Sequence, residues 1–251
     1  MLNNFDFKLI KADKSLSDFV ESFWMLHNKS DNDKEIVVLP DGRIDLTFFH
    51  SPTQPFHIVL SGLETYPDQA MLKAHTLMFA VSFKLLATEY ILQNTISNLL
   101  NYAAHLPTDF WNLNAADLND FDLFCEKASQ KIQSLLPKEI DNRKIKLFDL
   151  IYSFNGSLTV KELSEKVFWS SRQINRYFNQ QFGLSLKTYC NILRFRASFH
   201  HIKEGKLFPQ ENFSDQSHFI KEVKKLSGVS PKELKRNKND RFIQFTMLPP
   251  K

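Results

Sequence analysis

The polar side chains of Ser171, Arg172, Asn175 and Arg176 could recognise the edges of nucleic-acid bases. Arginine can donate two parallel hydrogen bonds to guanine O6 and N7, asparagine can pair with adenine N6 and N7, and either arginine can instead hold a phosphate. On a helix, residues four positions apart lie on the same side, as do Ser171 with Asn175 and Arg172 with Arg176. The spacing therefore predicts one polar surface suited to contact with DNA.

A second polar surface follows on a helix that Ser214 is predicted to cap. Phe219, Val223 and Leu226 recur at helical spacing and form the inward stripe of this helix. Its free side has four candidate contact residues, namely Gln216, Ser217, His218 and Lys221. Considered alone, His218 is also compatible with an ordinary surface residue, and no histidine is predicted to bind a metal.

Explicit helix-start signals position the first surface. Thr159 with Glu162 and Ser170 with Gln173 each fit the capping-box pattern. Two short helices follow, and a common buried face is predicted for Leu163, Val167, Ile174, Phe178 and Phe182. The residues between them suffice only for a tight turn, so the segment predicts a helix-turn-helix. Small helical domains also adopt this shape without touching DNA, and that alternative stays open.

Charge is distributed unevenly along the chain. Residues 1–150 contain 14 Lys/Arg and 20 Asp/Glu, a balance of −6, whereas residues 151–251 contain 18 and 8, a balance of +10. A compact basic segment favours a polyanion, because each neutralised phosphate releases counterions. A solubilising surface explains any single lysine but not the concentration of the excess in one half.

Composition and motif spacing argue against several classes of protein. A content of 43% hydrophobic and 24% charged residues is typical of a globular protein, and neither a membrane span nor a signal peptide is visible, so we expect a cytoplasmic protein. Cys125 and Cys190 lack a CxxC spacing and are predicted to be reduced and buried. Because His50, His57 and His75 are scattered without a carboxylate at strand spacing, we expect no metal, no cofactor and no enzyme.

The N-terminal half predicts antiparallel β-structure. To about residue 85, short extended runs alternate with turn residues, as in IVVLPDGRIDLTFFH, FHIVLSGLE and HTLMFAVSF. No long helical pattern separates these runs, so a barrel or sandwich is expected instead of βαβ units. Pro40-Asp41-Gly42 is predicted to form a hairpin turn.

Helical patterns begin after Leu85. Residues 118–136 contain a stripe at steps of three and four, formed by Leu118, Phe121, Cys125, Ala128, Ile132 and Leu135. The stripe packs either on its own domain or against a second chain. A polar linker is predicted at residues 136–144, where the charge balance changes sign. We therefore predict an α+β protein with a sensor or dimerisation domain at 1–140 and an all-α tandem helix-turn-helix domain at 141–251.

Five sequence blocks in the C-terminal half occur in a recognisable order. They are Ser170-Ser171-x-x-Ile174-x-Arg176-x-Phe178, Phe182-Gly183-Leu184-Ser185 with Tyr189, Arg194-x-Arg196-Ala197, Phe213-Ser214-Asp215-Gln216-Ser217-His218-Phe219, and Gly228-Val229-Ser230-Pro231. Together they resemble the C-terminal domain of AraC/XylS-type transcription activators, over about residues 145–237. The resemblance implies a long helix joining two helix-turn-helix units, whose recognition helices enter major-groove segments roughly 34 Å apart.

The resemblance also assigns residue roles and partners. It implies that Arg172, Asn175 and Arg176 contact double-stranded DNA from the first helix, and that Ser217, His218 and Lys221 do so from the second. The implied protein is a sequence-specific transcriptional regulator and a homodimer. Family habit favours an activator, which would make RNA polymerase a further partner.

The second unit departs from the family pattern. The family normally has a full helix before the second recognition helix, whereas only LFPQEN stands between Lys206 and Phe213. Pro209 would interrupt an ordinary helix. We therefore expect the supporting helix around Phe208–Asn212 to be shortened or replaced, and the first unit to dominate base readout.

The N-terminal half resembles sensor domains found in some members of the same family. Phe23-Trp24 and the block Leu39-Pro40-Asp41-Gly42-Arg43-Ile44-Asp45-Leu46 contain the similarity. The resemblance implies a cupin-like barrel that binds a small-molecule effector or a partner, with helices that pair two chains, but it identifies no effector-binding residue. Two alternatives stay open, in which a protein-interaction module or a cupin-like enzyme is fused to the DNA-binding domain.

Overall fold

The structure, a computed structural model, describes residues 5–210 and 212–248. The chain divides into two compact units. The first unit consists of the residues up to Lys34, Arg43–Gly62 and Met71–Ile140, and the second of Glu35–Gly42, Leu63–Ala70 and the chain from Asp141 onward. Because the first unit contains a β-sheet and the second is mainly helical, the predicted α+β class is confirmed.

Eight strands are found in the part of the chain that the structure describes. They are β1 Phe5–Lys11, β2 Val20–Asn28, β3 Lys34–Val38, β4 Ile44–His50, β5 His57–Ser61, β6 Asp68–Leu72, β7 Leu77–Phe83 and β8 Ala103–Leu106. Six of them form a sheet in the order β1-β2-β7-β4-β5-β8, and β3 pairs with β6. Neighbouring strands of the larger sheet run antiparallel, as predicted.

The turn at Pro40-Asp41-Gly42 does not join a hairpin, and that prediction was wrong. The strands on its two sides, β3 and β4, belong to different sheets. Gly42 does adopt the left-handed conformation of a turn residue, with φ of +76°, which glycine enters without a steric penalty. Sequence alternation identified extended runs here, but it does not specify which strand each run pairs with.

The core of the first unit forms where helix α2, Phe121–Leu135, covers the sheet. Phe48 of β4 lies opposite Phe79 of β7 in the strand register. The ring of Phe124 packs edge-on against both, with centroid distances of 5.3 Å in each case. Such aromatic pairs bury a large apolar area and favour this edge-on geometry.

The helical stripe predicted at residues 118–136 packs within its own chain. Helix α2 begins at Phe121 instead of Leu118, because the Asp120 carboxylate accepts hydrogen bonds from the amides of Asp122 and Leu123 and caps the helix there. The buried residues of α2 are Phe121, Phe124, Cys125, Ala128 and Ile132. The stripe therefore packs on its own domain, and it does not form the dimer interface that the sequence left open.

The remaining helices account for most of the second unit. Helix α1, Leu86–Tyr90, lies in the first unit, and the helices of the second unit are α3 Asn142–Ser153, α4 Val160–Val167, α5 Ser171–Phe182, α6 Leu186–Lys203, α7 Gln216–Ser227, α8 Pro231–Arg236 and α9 Ile243–Thr246. Asp141 caps α3, so the predicted polar linker ends before residue 144. None of the helices in the described ranges is both long and apolar enough to cross a membrane.

The core of the second unit includes residues from early in the chain. One apolar cluster joins residues of α6 and α7 to two early residues, Val37 and Leu39, and two late ones, Phe242 and Phe245. Tyr189 donates a hydrogen bond of 3.0 Å from its hydroxyl to the carbonyl oxygen of Gly42. The segment Glu35–Gly42 is thus part of the packed interior of the helical unit.

Candidate nucleic-acid interface

Helices α4 and α5 form the predicted helix-turn-helix, and both predicted capping boxes are present. The amide of Thr159 donates to the Glu162 carboxylate at 2.7 Å, and the amide of Ser170 donates to the Gln173 side chain at 2.9 Å. In each box the hydroxyl of the capping residue accepts from the amide three positions later. The hydrogen bonds from Thr159 hold the pKa of Glu162 below its usual value. Both helix starts are therefore fixed by local sequence.

The buried face of this unit is the one that the sequence predicts. Leu163, Val167, Ile174, Phe178 and Phe182 are all buried. Phe148 of α3 adds to this face, with its ring centroid 5.9 Å from that of Phe178. Because these apolar residues occupy the inward sides of both helices, the opposite side of α5 is left for a partner.

The two arginines of α5 are exposed on that opposite side. Arg172 and Arg176 lie one helical turn apart. Neither guanidinium group makes a hydrogen bond or an ion pair with any residue that the structure describes. Their guanidinium groups thus keep the five donors that bidentate contact with a guanine or a phosphate requires.

Ser171 and Asn175 are half-buried, and one of them is already engaged within the helix. The side-chain amide of Asn175 donates a hydrogen bond of 3.0 Å to the backbone carbonyl of Ser171. Bidentate pairing with adenine needs both the amide N–H and the carbonyl oxygen of an asparagine to face the base. Asn175 would have to use its second N–H or rotate, whereas the two arginines can bind without rearrangement.

Helix α7 is capped by Asp215, and the predicted cap at Ser214 was wrong. The Asp215 carboxylate accepts from the amide of His218 at 2.8 Å, so the helix begins one residue later than a Ser214 cap implies. Both residue types are strong N-caps, and they are adjacent here. Local sequence therefore did not distinguish them. The inward stripe of Phe219, Val223 and Leu226 is buried as predicted.

The four candidate residues of α7 differ in how free they are. The side-chain amide of Gln216 donates to the carbonyl of Leu207 at 2.7 Å, and Nδ1 of His218 accepts from the amide of Ser214 at 3.4 Å. These two side chains thus hold the segment that precedes α7. Ser217 and Lys221 are exposed and remain available to a partner.

An extended segment replaces the supporting helix of the second unit. Between Lys203 and Gln216 the described residues form no helix. The Arg194 guanidinium donates to the backbone carbonyl of Asn212 at 3.2 Å, and the side-chain amide of Asn212 donates to the carbonyl of Ser157 at 3.2 Å. Tertiary hydrogen bonds thus take over the role of a helix, as the shortened LFPQEN segment predicts.

Polar contacts that sequence reasoning missed connect α6 to α7. Asn191 of α6 donates to the Glu222 carboxylate of α7 at 3.0 Å, and Arg194 donates to the side-chain oxygen of Asn191. Arg194 belongs to one of the family-like blocks, but the pattern gave no indication that it orients α7. Only its i, i+3 spacing to Asn191 could have suggested the pair.

Two of the three histidines considered as metal ligands, His57 and His75, have other local partners. His57 contacts the carbonyl of Pro55 through Nδ1 at 2.9 Å, and His75 pairs with Asp31 at 2.9 Å. Within residues 5–210 and 212–248, no three His, Cys, Asp or Glu side chains are grouped so that they could hold a metal ion.

Comparison with known proteins gives a match in the N-terminal half and a set of structural similarities. A family described as a domain of unknown function (DUF6597) matches residues 8–105. No curated protein matches the sequence.

The solved structures similar to this chain include several of ToxT from Vibrio cholerae. One of them is 15% identical, covers 92% of this chain and 97% of the ToxT chain, and has a TM-score of 0.41. Another is 14% identical, covers 92% of this chain and 96% of the ToxT chain, and has a TM-score of 0.43. A third, wild-type ToxT bound to an unsaturated fatty acid, is 15% identical, covers 91% of this chain and 94% of its own, and has a TM-score of 0.39.

Proposed function

We propose that the protein is a sequence-specific DNA-binding transcriptional regulator of the AraC/XylS type. The exposed pair Arg172 and Arg176 on α5 is the main observation behind this proposal. In a helix-turn-helix, the N-terminal residues of the second helix contact base edges in the major groove. Arg172 occupies the first turn of α5, and Arg176 follows one turn later on the same side. In this arrangement Arg172 reads a base, and Arg176 reads a second base or holds a phosphate.

The charge of the C-terminal half supports the same proposal. A balance of +10 over residues 151–251 supplies the counterion release on which DNA affinity depends. Ser217 and Lys221, exposed on α7, serve as backbone contacts in this proposal. Gln216 and His218 act indirectly, because their side chains are bonded to the segment before α7.

The proposal assigns the two parts of the chain different roles. Residues 1–140 sense a small-molecule effector or pair two chains, and residues 141–251 bind DNA. The protein acts in the cytoplasm as a homodimer, is not an enzyme, and contacts RNA polymerase if it activates transcription. These roles follow the family resemblance of the sequence.

Selection from random duplex DNA tests the proposal. The full chain must be used, since Val37 and Leu39 belong to the core of the helical unit and a fragment starting at Asp141 would lack them. We expect the purified chain to enrich a defined motif at physiological salt. Enrichment of no motif, with binding that is equal for all duplexes, would rule out sequence-specific regulation.

A further inference from the structure

Phe168, in the turn between α4 and α5, combines high exposure with an unfavourable backbone conformation. The residue is 86% exposed, the largest value among the large apolar residues that the structure describes. It ends α4 in the left-handed region, with φ of 55° and ψ of 37°. Glycine is the usual residue at such a helix end, because a β-carbon is strained there.

Packing within the chain does not account for this residue. Trp111 also has a positive φ, of 62°, but its ring packs against Phe83 and Phe110, with centroid distances of 6.0 and 5.4 Å. In the described part of the chain, the Phe168 ring packs against no other aromatic ring. Its one charged neighbour among the described residues is the Lys146 ammonium group, 5.8 Å from the ring centroid. Residues held in such a conformation cluster at binding and active sites, which makes Phe168 a candidate for a binding role.

Phe168 lies close in the chain to the proposed readout surface. Ser170 caps α5, and Ser171 is the first residue of that helix, only three positions after Phe168. When the start of α5 enters the major groove, this turn must follow it to the groove. Phe168 therefore lies four positions before Arg172 in the chain, beside the end of α5 that is proposed to enter the groove.

We propose that Phe168 packs against the 5-methyl group of a thymine next to the base that Arg172 reads. The proposal rests on the proposed DNA-binding function. The thymine methyl is the apolar feature that base pairs present in the major groove, and phenylalanine is suited to contact it. A contact of this kind gives the protein a preference for thymine at that position that depends on the methyl group and not on a hydrogen bond.

The surrounding charge favours DNA over a protein partner for this ring. Residues 143–176 contain seven Lys/Arg and three Asp/Glu. Lys146 lies beside the ring itself, and the Arg143 guanidinium lies 5.1 Å from the ring centroid of the neighbouring Trp169. An apolar ring within a basic surface is complementary to a base methyl flanked by phosphates.

Replacing single thymines by deoxyuridine tests the contact, because deoxyuridine differs from thymine only in the missing methyl group. The probe is the duplex selected by the full chain, with each thymine replaced in turn. We expect the wild-type protein to lose about fourfold in affinity at one position, the effect of one buried methyl group. Phe168→Ala and Phe168→Gly should bind the thymine and deoxyuridine duplexes equally well. Phe154→Ala removes another exposed ring of the same unit and should keep the wild-type difference.

The glycine variant protects the test against misfolding. Because glycine adopts a φ of 55° without steric strain, Phe168→Gly should unfold at a temperature no lower than that of the wild type. Specific binding by the wild type without sensitivity to any thymine methyl would overturn the contact and leave the proposed function standing. A Phe168→Gly protein that binds DNA normally but loses transcriptional output would also overturn it, in favour of a protein partner. Failure of the wild type to select any duplex would overturn the proposed function itself.

Discussion

Gln244 satisfies both backbone hydrogen-bonding groups of Leu39, a residue 205 positions earlier in the chain. Its side-chain oxygen accepts from the Leu39 amide at 2.9 Å, and its side-chain nitrogen donates to the Leu39 carbonyl at 3.0 Å. The Val37 amide donates to the Arg241 carbonyl nearby. The Gln244 side chain thus makes the pair of hydrogen bonds that a neighbouring strand would make with Leu39. It holds the segment Glu35–Gly42 in the core of the helical unit.

Replacing Gln244 by leucine should destabilise the helical unit. Leu39 is fully buried, so its amide and carbonyl groups would be left without partners. We expect the free energy of unfolding to fall by about 1–3 kcal/mol, measured by urea titration followed by circular dichroism. Gln210→Leu is the matched control. The side-chain amide of Gln210 is exposed and donates only to the carbonyl of the preceding residue, Pro209. Equal stability of the two variants would show that the bonds to Leu39 contribute nothing.

The carboxylate of Glu162 should contribute to the acid sensitivity of α4. Its pKa is lowered by hydrogen bonds from the backbone and hydroxyl of Thr159. The stability it provides is therefore present above its unfolded pKa and is lost as the pH falls through the folded value. In Glu162→Gln the capping box keeps a hydrogen-bonding side chain at this position, but that side chain cannot titrate. The natural Ser170–Gln173 box already has glutamine at the same position.

Thermal unfolding between pH 3 and pH 7 measures this effect. We expect a smaller drop in unfolding temperature on acidification for Glu162→Gln than for the wild type. Glu165→Gln changes the same charge on an exposed position of the same helix and serves as the control. If the two variants have identical pH profiles, the capping carboxylate is not the relevant titrating group.

Both cysteines should be unreactive in the folded protein. They are buried free thiols, as the sequence predicts, and burial raises the pKa of each to about 12. Few thiolates are then present at pH 8, so labelling by a thiol reagent should be complete only after denaturant is added. The stability that the neutral thiols provide is present below the unfolded pKa and is lost as the pH rises towards 12. Rapid labelling of two thiols in native protein would contradict the buried positions.

Lys221 on α7 should contribute to DNA affinity without contributing to base preference. If it holds a phosphate, Lys221→Ala should weaken binding to every duplex by a similar factor and reduce the slope of log affinity against log salt by about one. Titrations of selected and scrambled duplexes at several salt concentrations give both quantities. Lys14→Ala makes the same charge change at an exposed site of the first unit and should leave the slope unchanged. A loss confined to one duplex sequence would instead identify Lys221 as a base contact.

Local patterns predicted the elements whose causes are local. The capping pairs that begin with Thr159 and Ser170 and the buried face ending at Phe182 lie where their sequence signals indicate. Each signal involves residues within one or two helical turns, so the physical cause is contained in the segment. The placement of the proposed base contacts on the exposed side of α5 follows from the same patterns.

Features that depend on distant parts of the chain could not be predicted. No pattern links Leu39 to Gln244, because hydrogen bonds between residues 205 apart have no period or motif. In the sequence, Phe168 is indistinguishable from other apolar residues. Its exposure and its positive φ depend on how α4 meets α5, which no local pattern specifies. The engagement of Asn175 with the Ser171 carbonyl is a rotamer choice that the residue types leave open.

Base readout by α5 is tested by the affinity of the full chain for its best selected duplex, compared between the wild type and Arg172→Ala. We expect Arg172→Ala to cost about 1–3 kcal/mol on that duplex and to remove base preference at one position. Arg236→Ala, which changes an exposed arginine of α8, should keep the base preference intact. Unchanged preference at every position in Arg172→Ala would contradict base readout by α5.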